Sequence, residues 1–223
     1  MCFSATASFA LGAVLLPAGA YALSRSRRAE RQWLPFAVYP LAFGVQQVFE
    51  GFVWLGLTNE YQAMTDIAAR GFLFFSHFFW LAWVPLSVWL TEEDRNRSRM
   101  LMMLCGLGTA LGLAIYLPTI IIPDSLTVSI VNRSIDYTIA LNMETEFNVS
   151  AIRLAYGAII IGALALSSDR RIQIFAGLVG ASLVVTYLFY EYALISVWCF
   201  FAAGLSAYLA LVIAQDQRSV LAD

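Results

Sequence analysis

Long apolar runs alternate with short polar gaps along the whole chain, and the runs share a common length. They lie at 4–23, 33–57, 67–90, 100–122, 151–168, 172–192 and 193–215. Each is close to the ~20 residues that a helix needs to cross a ~30 Å hydrocarbon core. Soluble core helices are usually shorter and keep a polar face, which these runs largely lack. The pattern predicts an all-α fold, a seven-transmembrane helix bundle forming a single membrane domain over 1–223.

Arginine placement gives the bundle a direction. The gap 24–32 holds Arg25, Arg27, Arg28 and Arg31, the gap 91–99 holds Arg95, Arg97 and Arg99, and 169–171 holds Arg170 and Arg171. Arg218 follows the last run, whereas the alternate gaps offer only Arg70, Arg133 and Arg153 near the span ends. Positive residues resist translocation, so the rich side reads as cytoplasmic. An odd number of spans then sets the N-terminus outside and the C-terminus in the cytoplasm. The first run has no positive segment before it and its charges come after, the reverse of a signal peptide, so it is expected to remain as a span. No apolar segment precedes Cys2, which argues against a lipoprotein cysteine. Trp33 and Trp89 at the arginine-rich ends, with Trp54 and Tyr61 at the other, are expected in interfacial belts.

The one long connection, 123–150, falls on the outer side, after Pro118 and Pro123 end the fourth helix. Apolar residues then alternate as Leu126, Val128, Ile130 and as Ile135, Tyr137, Ile139, Leu141, with Asn132-Arg133-Ser134 between them. A period of two broken by turn residues predicts a short outer β-hairpin between helices four and five. A lone hairpin is marginal in water, so its apolar face is expected on the helix ends as a lid; a disordered loop is the alternative. Gly108 with Gly112, and Gly177 with Ala181, have the spacing that lets membrane helices approach closely.

Composition narrows the functions. A 61% hydrophobic and 13% charged chain fits the membrane class. Its net charge of −2 offers no basic surface for nucleic acid. The chain has no lysine, which excludes retinal held by a Schiff base. A single histidine excludes bis-histidine haem and multi-histidine zinc hydrolysis within one chain. Neither GxxxxGK[ST] nor GxGxxG occurs. Ser4, Ser8, Ser76 and Ser196 show no Ser-His-Asp pattern.

Ionisable residues inside a span cost about 2.5–3.5 kcal/mol on insertion scales, so each asks for a reason. The second run carries Gln46, Gln47, Glu50 and Trp54; Glu50 is four residues from both Gln46 and Trp54, which places those three on one face. The third run carries His77 and Trp80, the sixth ends at Glu191, and the seventh carries Ser196, Trp198 and Cys199. At a ~1.5 Å rise per residue, Glu50 lies about 10 Å, His77 about 15 Å and Cys199 about 9 Å below the outer boundary, with Glu191 and Cys2 close to it. A candidate ligand pocket follows: Gln46, Gln47, Glu50, Trp54, His77, Trp80, Glu191 and Trp198. Within that region Cys2, Glu50, His77, Glu191 and Cys199 are candidate metal ligands, of the types that suit zinc, copper or iron. Bland readings stand beside these. Cys2 and Cys199 are also placed for a disulfide, His77 for a structural bond to backbone or Glu50, and Cys105 for simple packing.

The opening Met-Cys-Phe-Ser-Ala-Thr-Ala-Ser-Phe (1–9), Gly44-Val45-Gln46-Gln47 with Glu50-Gly51 and Trp54, Trp80 through Pro85, and Ser196-Val197-Trp198-Cys199-Phe200-Phe201-Ala202-Ala203 form a recognisable set. Together they resemble a family of small bacterial integral membrane proteins of unknown function. The resemblance covers nearly the whole chain and implies a multi-pass protein of the bacterial inner membrane. It implies no activity, cofactor or catalytic residue. It includes Cys2, Glu50 and Cys199 in its pattern and does not include His77. Three functional classes follow: a sensor or permease-like binding protein, an enzyme acting on lipid or quinone with Glu50 as general acid or base, and a structural or accessory subunit of a membrane complex. The lipid bilayer is the one partner all three share.

Overall fold

A computed structural model describes residues 4–28, 31–139 and 146–220. Its helices are α1 (Ala5–Arg28), α2 (Leu34–Thr58), α3 (Gln62–Leu73), α4 (Trp80–Trp89), α5 (Arg95–Tyr116), α6 (Pro118–Ile121), α7 (Glu146–Ala165), α8 (Arg170–Tyr190) and α9 (Leu194–Val220). Two strands, β1 (Leu126–Val131) and β2 (Ser134–Ile139), make the only sheet among the described residues. The all-α expectation holds, with the hairpin where the alternation placed it.

Local chemistry sets the helix starts. Asp94 accepts from the backbone N–H groups of Asn96 and Arg97 at 3.0 and 2.8 Å, and Asp169 accepts from that of Arg171 at 2.7 Å. Each carboxylate thereby satisfies donors that have no partner within the helix. α2 begins after a 3-10 turn over Arg31–Trp33 and has Pro35 in its first turn, where a missing N–H costs nothing. α3 and α4 are one continuous helix through a π turn, Phe74–Phe79, that carries His77. A π turn widens the helix and often marks a functional position. Here the Tyr156 hydroxyl of α7 donates to the Ser76 carbonyl at 2.5 Å, anchoring the turn from outside.

Among the described residues, four helical stretches are long and apolar enough to cross a membrane: Ala5–Arg27, Gln62–Trp89, Arg95–Ile121 and Arg170–Gln215. The last runs through α8, a 3-10 turn at Glu191–Ala193, and α9. Val149–Ala165 is a shorter apolar helix. α2 is long but falls outside this set, because Gln46, Gln47 and Glu50 interrupt its apolar sequence. Its neighbours explain the polarity: α1, α3 and α9 pack around α2, and Phe36, Tyr39, Phe43 and Glu50 are all buried. An enclosed helix meets protein rather than lipid, so it can carry polar groups.

β1 and β2 are antiparallel, with Leu126 opposite Ile139, Val128 opposite Tyr137 and Ile130 opposite Ile135. Asn132 and Arg133 both have positive φ, 45° and 61°, as a two-residue type I′ connection requires. The apolar face lies on the bundle: Ile135 and Tyr137 are buried with Val53, Trp54, Phe72 and Cys199. The Tyr137 and Phe72 rings stack at 4.9 Å. Leu141, expected to extend this face, lies outside the described residues.

At the other end, polar groups tie the loops together. Arg97 donates to the carbonyls of Leu166 and Ser167, both at 3.2 Å. Glu92 accepts from the Ser168 hydroxyl at 2.6 Å and its backbone N–H at 2.7 Å. Trp33 is buried under the Arg171 guanidinium, 4.4 Å from its ring centre, and Trp54 is buried near the hairpin. These two indoles therefore pack inside the protein instead of forming the expected surface belts. α5 approaches the α3–α4 helix closely: a Cβ on Gly108 would sit 2.1 Å from the Leu81 carbonyl, and one on Gly112 3.0 Å from that of His77. Only glycine permits that distance. Gly177 has nothing within 4 Å and makes no such contact.

Candidate functional site

Beneath the hairpin, α2 turns Gln46, Gln47, Glu50 and Trp54 toward α1, α9 and β2. The one-face spacing read from the sequence is realised there. Glu50 is fully buried and holds three hydrogen bonds: Oε1 accepts from Ser196 Oγ at 2.5 Å, and Oε2 from Gln47 Nε2 at 3.1 Å and Ser8 Oγ at 3.4 Å. All three donors are neutral. The side-chain ion pairs among the described residues are Arg153–Glu191 and Arg171–Asp169, so no cation among them pairs with this carboxyl. The described surroundings supply hydrogen bonds without a counter-charge, a costly arrangement for a buried ion.

Around Glu50 the polar network is incomplete. Gln46 Oε1 accepts from Trp80 Nε1 at 2.7 Å, which fixes the amide. Its Nε2 lies toward the Cys199 thiol but meets no partner at hydrogen-bonding geometry. Gln47 Oε1, Trp54 Nε1 and the Tyr137 hydroxyl are likewise buried and unpartnered. Native proteins leave few such atoms, because each costs about 1–3 kcal/mol. Gln46, Gln47 and Trp54 share a helix face with Glu50, and Tyr137 lies close enough for a charge on Glu50 to act on its phenol. The Tyr137 phenol is held well above its ordinary value, by burial first and then by Glu50 and Cys199 nearby. It therefore stays protonated and can donate.

The other expected residues are placed elsewhere. His77 is buried in the π turn, with Nδ1 3.0 Å from Ser76 Oγ, and it lines a separate hollow with Arg153, Tyr156, Trp198 and Cys199. Trp198 donates from Nε1 to the Val179 carbonyl at 3.3 Å. Glu191 is exposed and lies 4.0 Å from Arg153, apart from Glu50's hydrogen-bond partners. It turns outward because the chain leaves α8 through a 3-10 turn beginning at this residue. Cys199 is a buried free thiol, as Cys105 is a half-buried one, and Cys2 lies outside the described residues. Among the described residues no three His, Cys, Asp or Glu side chains gather to hold a metal ion. The proposed metal set thus has no assembled form there.

Two participants were not selected by sequence reasoning. Ser8 appeared only as a possible nucleophile, and Tyr137 only as one apolar position of a strand. The period-two pattern does point Tyr137 inward, yet nothing in it places the hydroxyl near α2. Chemically the arrangement presents both hydrogen-bond donors and acceptors near one buried carboxyl. The chain belongs to a family described as a family of unknown function, DUF6629, whose model matches residues 1–223. No curated protein and no solved structure matches it.

Proposed function

We propose that this member of the DUF6629 family is a multi-pass protein of the bacterial inner membrane that binds a small polar ligand around Glu50. In this reading the chain is one membrane domain of seven spans, N-terminus outside and C-terminus cytoplasmic. The four apolar stretches and the arginine asymmetry support the spans and their direction. α2 counts as a span because its neighbours, not lipid, surround its polar face.

One observation carries the ligand reading: four unpartnered buried polar atoms, of Gln46, Gln47, Trp54 and Tyr137, lie near a carboxyl that no cation pairs with among the described residues. Intramembrane carboxyls that face a protein interior typically mark substrate or ion paths. Gln46, Trp54 and Tyr137 would donate to the guest, Gln47 would accept, and Glu50 would supply charge or take up a proton. Ser8 and Ser196 hold the carboxyl, and Trp80 positions Gln46. Amide, indole and phenol groups with a single carboxylate favour a hydrogen-bonding guest over zinc, copper or iron. A chamber for such a guest under the hairpin would suit a sensor or a permease.

Native mass spectrometry of the full chain, released from its own membrane, tests this. Wild type retains a small bound mass, and Trp54→Phe with Tyr137→Phe loses it while melting like wild type stripped of that mass. A wild type that carries no adduct, together with no melting shift on adding polar metabolite mixtures, rejects the chamber. For direction, a cysteine-depleted chain carrying Asn132→Cys should react with an impermeant thiol reagent from outside, and one carrying Asn96→Cys should not. The reverse pattern overturns the orientation.

A further inference from the structure

The hollow lined by His77 and a second one lie side by side among α2, the π turn, α4, α5, α7, α8 and α9. Ile115, Ile152, Leu183, Leu194 and Ile195 give the first an apolar wall, and Phe43, Val84, Ile160, Leu164 and Phe175 do so for the second. Tyr156, Trp198 and Cys199 line both, with the Tyr156 and Trp198 rings edge to face at 5.6 Å. The polar ends of this partition are already used, Tyr156 on the Ser76 carbonyl and Trp198 on that of Val179. Hydrocarbon is therefore most of what the partition presents. The space open to the centre of a water molecule is about 70 Å³ in the first hollow and about 40 Å³ in the second. Volumes this small do not admit a bulky ring ligand, whereas an alkyl chain demands the least width of any lipid part.

Among the described residues Arg153 is the one arginine in the lining of the first hollow, which Ser76 and His77 also border, and it reaches a polar recess with Asp136 and Tyr192. Its side chain is 36% exposed, and its partner Glu191, 62% exposed, stands at 4.0 Å. So loose and wet a pair holds the guanidinium weakly. A carboxylate or phosphate could instead take two parallel hydrogen bonds from it. The outward faces of α7 and α8 nearby are exposed and apolar, including Leu154 at 75% and Leu188 at 68%.

We infer that this pair of hollows holds the acyl chain of an anionic lipid whose head sits on Arg153. The tail fills the first hollow and its end passes the Tyr156–Trp198 pair toward the second. A tail arriving from hydrocarbon gains little by transfer, so selection between lipids falls on the head and hence on Arg153.

Bromine on an acyl chain quenches an indole it touches, and Trp198 lines both hollows, Trp80 the second. Dibromostearate is titrated into the full-length protein in nanodiscs of neutral phosphatidylcholine. Quenching is expected to saturate and to fall sharply in Trp198→Phe. Arg153→Gln should weaken the carboxylate by about tenfold and leave the neutral dibromostearamide unaffected, and Arg153→Lys, which keeps the charge without the paired hydrogen bonds, should restore only part of the loss. Ala202→Leu, in the second hollow, should reduce binding of both probes. Displacement by phosphatidylglycerol assigns the head to a phospholipid, and displacement by palmitate alone assigns it to a free fatty acid. Non-saturable quenching, or an Arg153→Gln chain that melts like wild type and binds acid and amide as wild type does, overturns the inference. Tyr137→Phe should leave the quenching unchanged, so this test and that of the Glu50 chamber fail separately.

Discussion

Two glutamates each collect three hydrogen bonds, in very different surroundings. Glu92 accepts from the Ser168 hydroxyl, the Ser168 N–H and the Asp94 N–H at 2.6, 2.7 and 3.0 Å. Glu50 accepts from Ser196, Gln47 and Ser8 at 2.5, 3.1 and 3.4 Å. Glu92 sits among solvent and arginines, where its bonds suffice to explain it as a staple between two loops. Glu50 is fully buried, has no counter-charge among the described residues, and has polar atoms nearby that its own network does not satisfy. A saturated network accounts for itself structurally, whereas an unsaturated buried one is what the proposed ligand would complete.

The largest contrast should come from deleting each carboxyl. Glu50→Leu strands three buried donors, each worth about 1–3 kcal/mol, so a loss of about 3 kcal/mol or more is expected in denaturant unfolding in detergent. Glu92→Leu should cost less than about 1 kcal/mol, as exposed polar pairs usually do. Equal losses would erase the distinction between the two sites. Within the chamber, Ser196→Ala should cost about 1–3 kcal/mol and Ser8→Ala clearly less, because the first hydrogen bond is short and the second long. The reverse order would mean that α1, not α9, anchors the carboxyl.

Acidification probes the staple on a smaller scale. The slight burial of Glu92 pushes its carboxyl up, but the hydrogen bonds from Ser168 and Asp94 and the charge of Arg97 outweigh it, and the net position is below the ordinary 4.5. Its stabilisation is therefore complete above that value and is lost as pH falls through the lower folded value. Wild type should lose slightly more melting temperature between pH 6 and about 3 than Glu92→Gln does; identical slopes would remove the staple's role. The smallest effect belongs to Tyr137→Phe, which deletes a hydroxyl without a partner and should leave the empty protein's melting temperature nearly unchanged.

The helices and the hairpin were legible because periodicity is local. Asn132-Arg133 between two alternating stretches led directly to the paired strands. The Gln46–Glu50–Trp54 face was legible for the same reason, a fixed geometry within one helix. What surrounds that face was not. Ser8 and Ser196 reach Glu50 across 42 and 146 residues of chain, and no local pattern encodes such a meeting. Glu191 was misplaced because depth along a helix says nothing of facing, and a 3-10 turn sends it outward. Trp33 and Trp54 were assigned to surface belts by position alone, while stacking under Arg171 and packing near Cys199 decide their true places.

An experimental density map of the chamber tests the central claim most directly. It should show non-protein density within hydrogen-bonding distance of Gln46 Nε2, Trp54 Nε1 and the Tyr137 hydroxyl, beside Glu50. A chamber with no such density, in which those side chains rotate to pair with one another, would contradict a binding role and leave Glu50 as a structural knot.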